Sequence, residues 1–258
     1  MGKVLAIVGA VAVSLAVAGT ALANHSWGNY HWSRASNPLA LNVGDNVNSG
    51  WDAYLSGAIS DWDQSSVLAL TGVAGGTTPS SCSPTSGRIE VCNAAYGNTG
   101  WLGVAQIWVT RSSHITQATT KVNDTYFDTA AYNTPAWRRL VMCQEVGHDF
   151  GLDHQDVNFN NGNLGTCMDY TNDPDGPPSN EHPNQHDYDQ LESIYAHLDG
   201  SGGGGGNSGC HGHNPNCQNG VGNAPPFSQA GRGNGDLYID ELPNGGRRIT
   251  HVFWPSLG

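Results

Sequence analysis

The sequence predicts a mixed α/β domain that is followed by a small C-terminal β-hairpin. The first observation is a β-α-β opening, in which segment 51–62 places its apolar residues at helical spacing between two short β-rich runs. The second is that more β-rich runs and two further helical segments follow it. The third is a hairpin pattern near the end of the chain. Strands and helices mixed in this way favour an α/β sandwich, in which helices cover a sheet.

The elements of the main domain can be placed in order. Its predicted strands are short apolar or β-branched runs at 39–43, 67–70, 88–92, 102–109 and 115–122. The central helix should begin at Pro135, with Thr134 as its N-cap, and reach about Phe150, where Gly151 ends it. A last helix is predicted over 187–197, with its apolar residues on one face.

Composition divides the chain into four parts. Residues 1–23 have a basic start, an apolar run and an Ala-Leu-Ala end, typical of a secretory signal peptide cleaved after Ala23. Residues 24–199 have the composition of a globular domain, with aromatic residues spread throughout. The Gly-, Asn- and Pro-rich stretch 200–235 predicts a flexible linker. Residues 236–258 form the hairpin, with its turn at 244–246. A lone hairpin is marginal in water, so it should dock on the main domain or on another molecule, for example in self-association.

Charge and cysteine content narrow the class of protein. A net charge of −12 argues against a nucleic-acid partner, and no segment after the leader is apolar enough to span a membrane. An even number of cysteines in an exported chain predicts disulfides and an extracellular protein. The sequence cannot fix their connectivity, and the simplest pairing joins sequence neighbours, namely Cys82 with Cys92, Cys143 with Cys167, and Cys210 with Cys217.

The segment V-M-C-Q-E-V-G-H-D-F-G-L-D-H-Q-D at 141–156 carries the chemistry. Residues four apart on a helix share a face, so Gln144 and His148 point the same way and Glu145 lies one step round. A turn at Gly151 lets His154 swing back towards them. Convergent donors beside a carboxylate are the layout of a catalytic zinc site, in which the carboxylate takes a proton from water.

These residues resemble a known family. Residues 145–154 are similar to the metzincin signature H-E-x-x-H-x-x-G-x-x-H, with Gln144 in place of the first His. C-M-D-Y at 167–170 looks like the Met-turn of that clan, and G-L-D-H at 151–154 is close to the matrixin version of the motif. Segment 187–195 resembles the closing matrixin helix. The resemblance covers roughly residues 30–198 and is to bacterial secreted matrixin-like metalloproteases.

The resemblance implies a zinc-dependent endopeptidase. It implies a twisted mixed sheet with a central active-site helix and a Met-turn at Met168, zinc ligands at His148 and His154, and Glu145 as the general base. It also makes 102–109 the upper edge strand, to which an extended peptide or protein substrate would add. A non-catalytic extracellular binding or structural module on the same scaffold is the alternative function.

Gln144 leaves three explanations open, because a neutral amide oxygen is a poor zinc donor beside imidazole. Gln144 ligates directly or through water, or another histidine such as His182 or His186 completes the site, or the site holds no metal. Calcium is a second candidate cofactor, since more than half of the acidic residues lie in 145–199, including Asp156, Asp169 and the turn 173–176. An acidic surface loop is the alternative there.

Overall fold

The computed structural model describes residues 24–199 and 236–254, which form a mixed α/β fold, as the sequence predicts. The predicted leader 1–23, the linker 200–235 and the Cys210–Cys217 pair lie outside these ranges. Within them, no helix is long and apolar enough to cross a bilayer. The elements, in chain order, are β1 (His31–Trp32), β2 (Leu39–Asn46), α1 (Asp52–Trp62), β3 (Leu68–Ala74), β4 (Arg88–Ala94), β5 (Gly103–Val109), β6 (His114–Asn123), α2 (Asp124–Phe127), α3 (Pro135–His148), α4 (Gln185–Ile194), β7 (Leu237–Glu241) and β8 (Arg247–Phe253).

The strands form one eight-stranded sheet in the order β3-β2-β4-β6-β5-β8-β7, and β1 pairs with the start of β6. Strands β3, β2, β4 and β6 run parallel, because α1 and longer connections return the chain to the same end. Strands β5, β8 and β7 add antiparallel neighbours on the other side. The strand segments expected from sequence are all present, with ends that differ by a few residues.

The central helix α3 begins as predicted. Thr134 accepts a hydrogen bond from the Trp137 amide, and Pro135 occupies the first turn. The helix ends at His148, two residues before the predicted end, and nearly every residue of its second half is buried. The helix contacts α1 on one side and β5, β6 and β8 on the other. Residues 144–148, which carry the motif, are therefore enclosed by protein on both sides.

The C-terminal hairpin is present, and it docks on the main domain as a continuation of the sheet. Strand β8 pairs antiparallel with the whole of β5, from Gly103 opposite Phe253 to Val109 opposite Arg247. Because β5 also pairs with β6, it is not an edge strand. The expectation that 102–109 offers a free edge to a peptide is therefore wrong for this conformation, since the chain's own hairpin occupies that edge.

A disulfide and close packing hold the Met-turn segment against α3. Cys143 is bonded to Cys167, and Cys82 is bonded to Cys92, as the pairing of sequence neighbours predicts. A Cβ atom at Gly147 would lie 2.7 Å from the sulfur of Met168, so glycine at this position lets Met168 lie directly against the helix. The segment that resembles a Met-turn thus underlies the second half of α3.

The buried carboxylate of Glu90 makes a testable contribution to stability. Its side chain is fully buried and bonded to Arg88 at 2.7 Å and to the Asn46 amide at 2.8 Å. Burial would raise the pKa of Glu90, but these hydrogen bonds outweigh it and lower the pKa from 4.5 to about 2. Charged Glu90 therefore stabilises the fold above its unfolded pKa, and this stabilisation is lost as the pH falls through the folded pKa.

We expect the free energy of unfolding to drop by roughly 2.5 kcal/mol between pH 4.5 and pH 2 from this group alone, at ~1.4 kcal/mol per pKa unit and with the group half titrated at each end of this range. Glu90→Gln should remove this part of the pH dependence, because the amide does not titrate. Urea unfolding at several pH values measures this pH dependence. Glu192→Gln, which replaces an exposed carboxylate, is the matched control and should leave the pH dependence unchanged. Equal pH slopes in the wild type and Glu90→Gln would contradict the assignment.

Candidate metal centre

The first two histidines of the site come from α3 and the turn that follows it. His148 is the last residue of α3, and Gly151 then takes a positive φ of 94°. A Cβ atom at Gly151 would lie 2.1 Å from the Tyr30 carbonyl oxygen, so only glycine allows this tight return. The turn brings Nε2 of His154 to 3.1 Å from Nε2 of His148, which is the convergence that the sequence predicts.

A third histidine, His251, joins this pair from β8. One ring nitrogen from each of His148, His154 and His251 lies within 4.8 Å of the others. The His251 ring centroid is 4.0 Å from that of His148 and 4.4 Å from that of His154. The hairpin therefore supplies the imidazole that the sequence motif lacks at Gln144.

The spacing of these nitrogens fits a zinc ion. With Zn–N bonds of about 2.0–2.1 Å and tetrahedral angles, two nitrogen ligands lie about 3.3 Å apart. The His148–His154 separation of 3.1 Å is close to that value. Two neutral imidazole nitrogens at this distance repel through their lone pairs unless a proton or a cation lies between them, so the pair suits a shared metal ion.

The protonation of His148 and His154 also suits metal binding. Burial, together with the nearby positive charge of His251, lowers the pKa of both imidazoles well below the usual value. They are therefore neutral at ordinary pH, as ligands must be. Nδ1 of His148 lies 2.8 Å from the Leu152 carbonyl oxygen, to which it donates, so Nε2 keeps its lone pair for a metal.

Two carboxylates flank the third histidine, the fully buried Glu145 and the partly exposed Asp236. Nδ1 of His251 lies 3.6 Å from Glu145, and its Nε2 lies 3.6 Å from Asp236. Burial alone would lower the pKa of His251, but the two carboxylates that face it at 3.6 Å raise it to about 9. In the metal-free protein His251 therefore carries a proton at neutral pH, and a metal ion must displace this proton to bind there.

Glu145 and Gln144 have buried oxygen atoms without a hydrogen bond to any of the described residues. These are both carboxylate oxygens of Glu145, which His251 faces only as an ion pair at 3.6 Å, and Oε1 of Gln144. Burial, opposed by His251, raises the pKa of Glu145. Buried acceptors without partners are costly, and a cation or water among the histidines would satisfy them. The donor set and these unsatisfied oxygens together fit a zinc site.

The amide group of Gln144 is engaged with the Met-turn segment. Its Nε2 donates to the Cys167 carbonyl oxygen at 2.6 Å, next to the disulfide that joins Cys143 and Cys167. Tyr170, two residues after Met168, donates its hydroxyl proton to Asp236 at 2.6 Å and lies 3.1 Å from Nε2 of His251. The segment 167–170 thus contacts both the helix and the hairpin sides of the site.

The other candidate ligands lie elsewhere. The His186 ring packs on His25 in the first turn of α4, and His182 is paired with Asp61 at 2.7 Å. Neither belongs to the three-histidine group found among residues 24–199 and 236–254. His251, rather than His186, completes the group.

Calcium has no support in the described part of the chain. Asp156 and Asp169 accept hydrogen bonds from the amides of Asn158 and Leu164, and the acidic residues of the 173–176 turn do not join them in a group of metal-ligating atoms. The two groups that do occur there are rich in histidine, which favours zinc over calcium.

The sequence does not predict that His251 and Asp236 belong to this site, or that Tyr170 contacts both of them. His251 lies far downstream of the motif, inside a β-rich apolar segment, and no spacing rule connects the two. The one local indication that His251 is buried is its place in a run of Ile, Thr, Val and Phe, which is typical of a buried strand. Only the β5–β8 register brings it to the site.

Neither the protein-family models nor the curated proteins include one that matches the chain. Among solved structures, the chain is similar to high choriolytic enzyme 1, a hatching-enzyme zinc-protease from the medaka fish Oryzias latipes. The two are 12% identical, with a TM-score of 0.35, over 64% of this chain and 94% of that one.

We predict that His251→Ala weakens zinc binding by more than the ~10–100-fold that loss of an outer-shell partner costs, because it removes a direct ligand. Titration of the metal-free protein with zinc against a competing chelator measures this. His182→Ala is the matched control, since the side chain of that histidine is 58% exposed and does not belong to the group. Equal zinc affinity in both variants would show that His251 is not a ligand.

Proposed function

We propose that this chain is a secreted zinc-dependent endopeptidase of matrixin type, whose metal site is completed by its own C-terminal hairpin. The observation that carries the proposal is the convergence of His148, His154 and His251 beside the buried carboxylate of Glu145. Three protein ligands with an adjacent carboxylate are the donor set of a catalytic zinc site. The signal-peptide pattern in 1–23 and the two disulfides support secretion.

Each residue has a distinct part in such a reaction. The three histidines would hold the metal, and zinc, when bound, polarises a carbonyl oxygen and lowers the pKa of water. Glu145 would accept the proton of the attacking water, and its raised pKa brings it closer to the range in which a general base is effective. The Tyr170 hydroxyl donates a hydrogen bond to Asp236 in this conformation. It could instead donate to the substrate carbonyl oxygen, which gains negative charge during the reaction.

The hairpin limits access of an extended peptide or protein substrate. Ile249, Val252 and Phe253 on β8 are fully buried, and burying each such side chain stabilises the docked hairpin by about 1.5–3 kcal/mol. Release of β8 from β5 therefore costs at least roughly 5 kcal/mol, which leaves an open fraction on the order of 10⁻⁴. We infer that the described conformation is a closed one, in which proteolysis is slow.

The same closure favours a second candidate function, a zinc-stabilised extracellular binding or structural module. Glu145 is fully buried and β5 has no free edge, so the closed conformation presents no groove for a peptide at that strand. Among the described residues, β7 is the outermost strand at this side of the sheet, and an outermost strand can pair with the strand of a second copy. The C-terminal hairpin would then serve in self-association of the protein.

We expect the zinc-loaded protein to cleave an unfolded substrate such as casein, and a chelator to abolish this cleavage. Glu145→Gln should lower kcat/KM by at least ~100-fold without loss of zinc, because general-base catalysis contributes about 10²–10⁴. Exposed Glu192→Gln should leave both quantities unchanged. Full zinc occupancy with no cleavage under any of these conditions would favour the structural module instead.

A double variant tests whether the hairpin restrains the site. In His251→Ala protein, Gln144→His should restore zinc binding, because Gln144 lies one helical turn before His148 on the same face of α3. The metal would then no longer fix the hairpin, and casein cleavage should exceed that of the wild type. Zinc content and cleavage rate, compared with the single His251→Ala variant, are the measurements. Failure of Gln144→His to restore zinc would show that position 144 cannot ligate.

A further inference from the structure

A second cluster of metal-ligating side chains lies away from the site just described. It brings together His31 from β1, His114 at the start of β6, and Asp199, which follows α4. The parallel pairing of β1 with β6 sets His31 directly beside His114. Asp199 is fixed on the other side, since its Oδ2 accepts a hydrogen bond from the Arg34 amide at 2.9 Å and its own amide donates to the Arg34 carbonyl oxygen at 2.8 Å.

The polar atoms of this cluster point at one another. Oδ1 of Asp199 lies 3.2 Å from Nε2 of His114 and 3.5 Å from Nε2 of His31. A fourth side chain, His197, places its Nε2 3.4 Å from Oδ1 of Asp199 and 3.3 Å from Nε2 of His31. These separations match the roughly 3.3 Å expected between ligand atoms around a tetrahedral zinc ion.

The orientation of His31 favours ligation by Nε2. Its Nδ1 lies 2.8 Å from the Asn29 carbonyl oxygen and donates a hydrogen bond to it. Nε2 then carries the lone pair and faces the cluster, as in metal-ligating histidines whose other nitrogen is held by a carbonyl group. The His31 side chain is only 8% exposed, whereas that of His197 is 55% exposed, so the cluster is rooted in the fold and reachable from solvent.

We propose that His31, His114 and Asp199, with His197 on the solvent side, bind a structural zinc ion. Imidazole nitrogens with a single carboxylate oxygen suit zinc and related transition metals, and they do not suit calcium or magnesium, which require mostly oxygen ligands. The ligand atoms of His31, His114 and Asp199 all lie within 4.8 Å of one another, and His197, which lies close to two of them, would take the remaining position from the solvent side. No open position would then be left for a substrate, which indicates a structural role. The ion would fasten β1 and β6 to the segment that follows α4.

The metal content of the full mature chain tests the proposal. Zinc is added to metal-free protein, excess is removed by dialysis, and bound metal is counted for each chain. We expect two zinc ions in the wild type and one in His114→Gln, whose side chain is 30% exposed and whose replacement is mild. Calcium and magnesium should not be retained, and His182→Gln, a surface histidine outside both clusters, should keep both zinc ions.

The same measurement in His154→Ala protein distinguishes this second site from the three-histidine group. His154→Ala removes a ligand of the three-histidine group and should leave one zinc ion, which is lost when Asp199→Asn is added. Asparagine keeps the size of the side chain and an oxygen for the Arg34 amide, but it removes the charged ligand. Zinc should raise the Tm of His154→Ala protein, and it should not raise the Tm of the His154→Ala, Asp199→Asn pair.

The outcomes distinguish the two metal sites. A wild type that binds one zinc ion, lost in His154→Ala and kept in His114→Gln, would overturn the second site and leave the proposed function intact. The reverse pattern would support the second site and overturn the first. A cluster that is only a set of His–Asp ion pairs would show no zinc uptake and no zinc-dependent rise of Tm in His154→Ala protein, which would also overturn the proposal.

Discussion

The pairing of β8 with β5 is the constraint on which the site depends. It sets Ala105 opposite His251 in the antiparallel register, and this register alone carries the histidine to α3. A strand that slipped by one residue would turn every side chain to the other face of the sheet and remove His251 from the group. The same pairing covers the edge of β5, so one strand pairing both brings His251 to the other two histidines and occupies that edge.

Burial makes the electrostatics of the centre strong. Glu145, His148 and His251 are at most 2% exposed, and a buried charge is tolerated only where an opposite charge or a metal balances it. In the metal-free protein the His251 cation balances Glu145 and Asp236. A zinc ion bound in place of the His251 proton would keep a positive charge beside the same two carboxylates. The arrangement therefore requires a positive charge at this position, which either a proton or a metal ion could supply.

Close packing holds the parts of the centre in place. A Cβ atom at Gly103 would lie 2.5 Å from a Glu145 carboxylate oxygen, so this glycine of β5 makes room for the carboxylate. Gly147 does the same for Met168, and the Cys143–Cys167 bond ties the Met-turn segment to α3. Two glycines and one disulfide thus hold Glu145 and the Met-turn segment in close contact with their neighbours around α3.

The sequence by itself determined the mixed α/β class, the strand segments, the capped start of α3 and the return of the chain at Gly151. These follow from residue type and short-range spacing, which act within a few turns of the chain. It also indicated the His148–His154 pair and the two disulfides of the described residues. Tertiary structure alone decided the third histidine of the first group, because His251 comes from a segment distant in sequence from His148 and His154. The same is true of the second cluster, in which His31 and Asp199 lie far apart in the chain. Strand register and burial, which no local pattern encodes, bring such groups together and decide which of many histidines share a site.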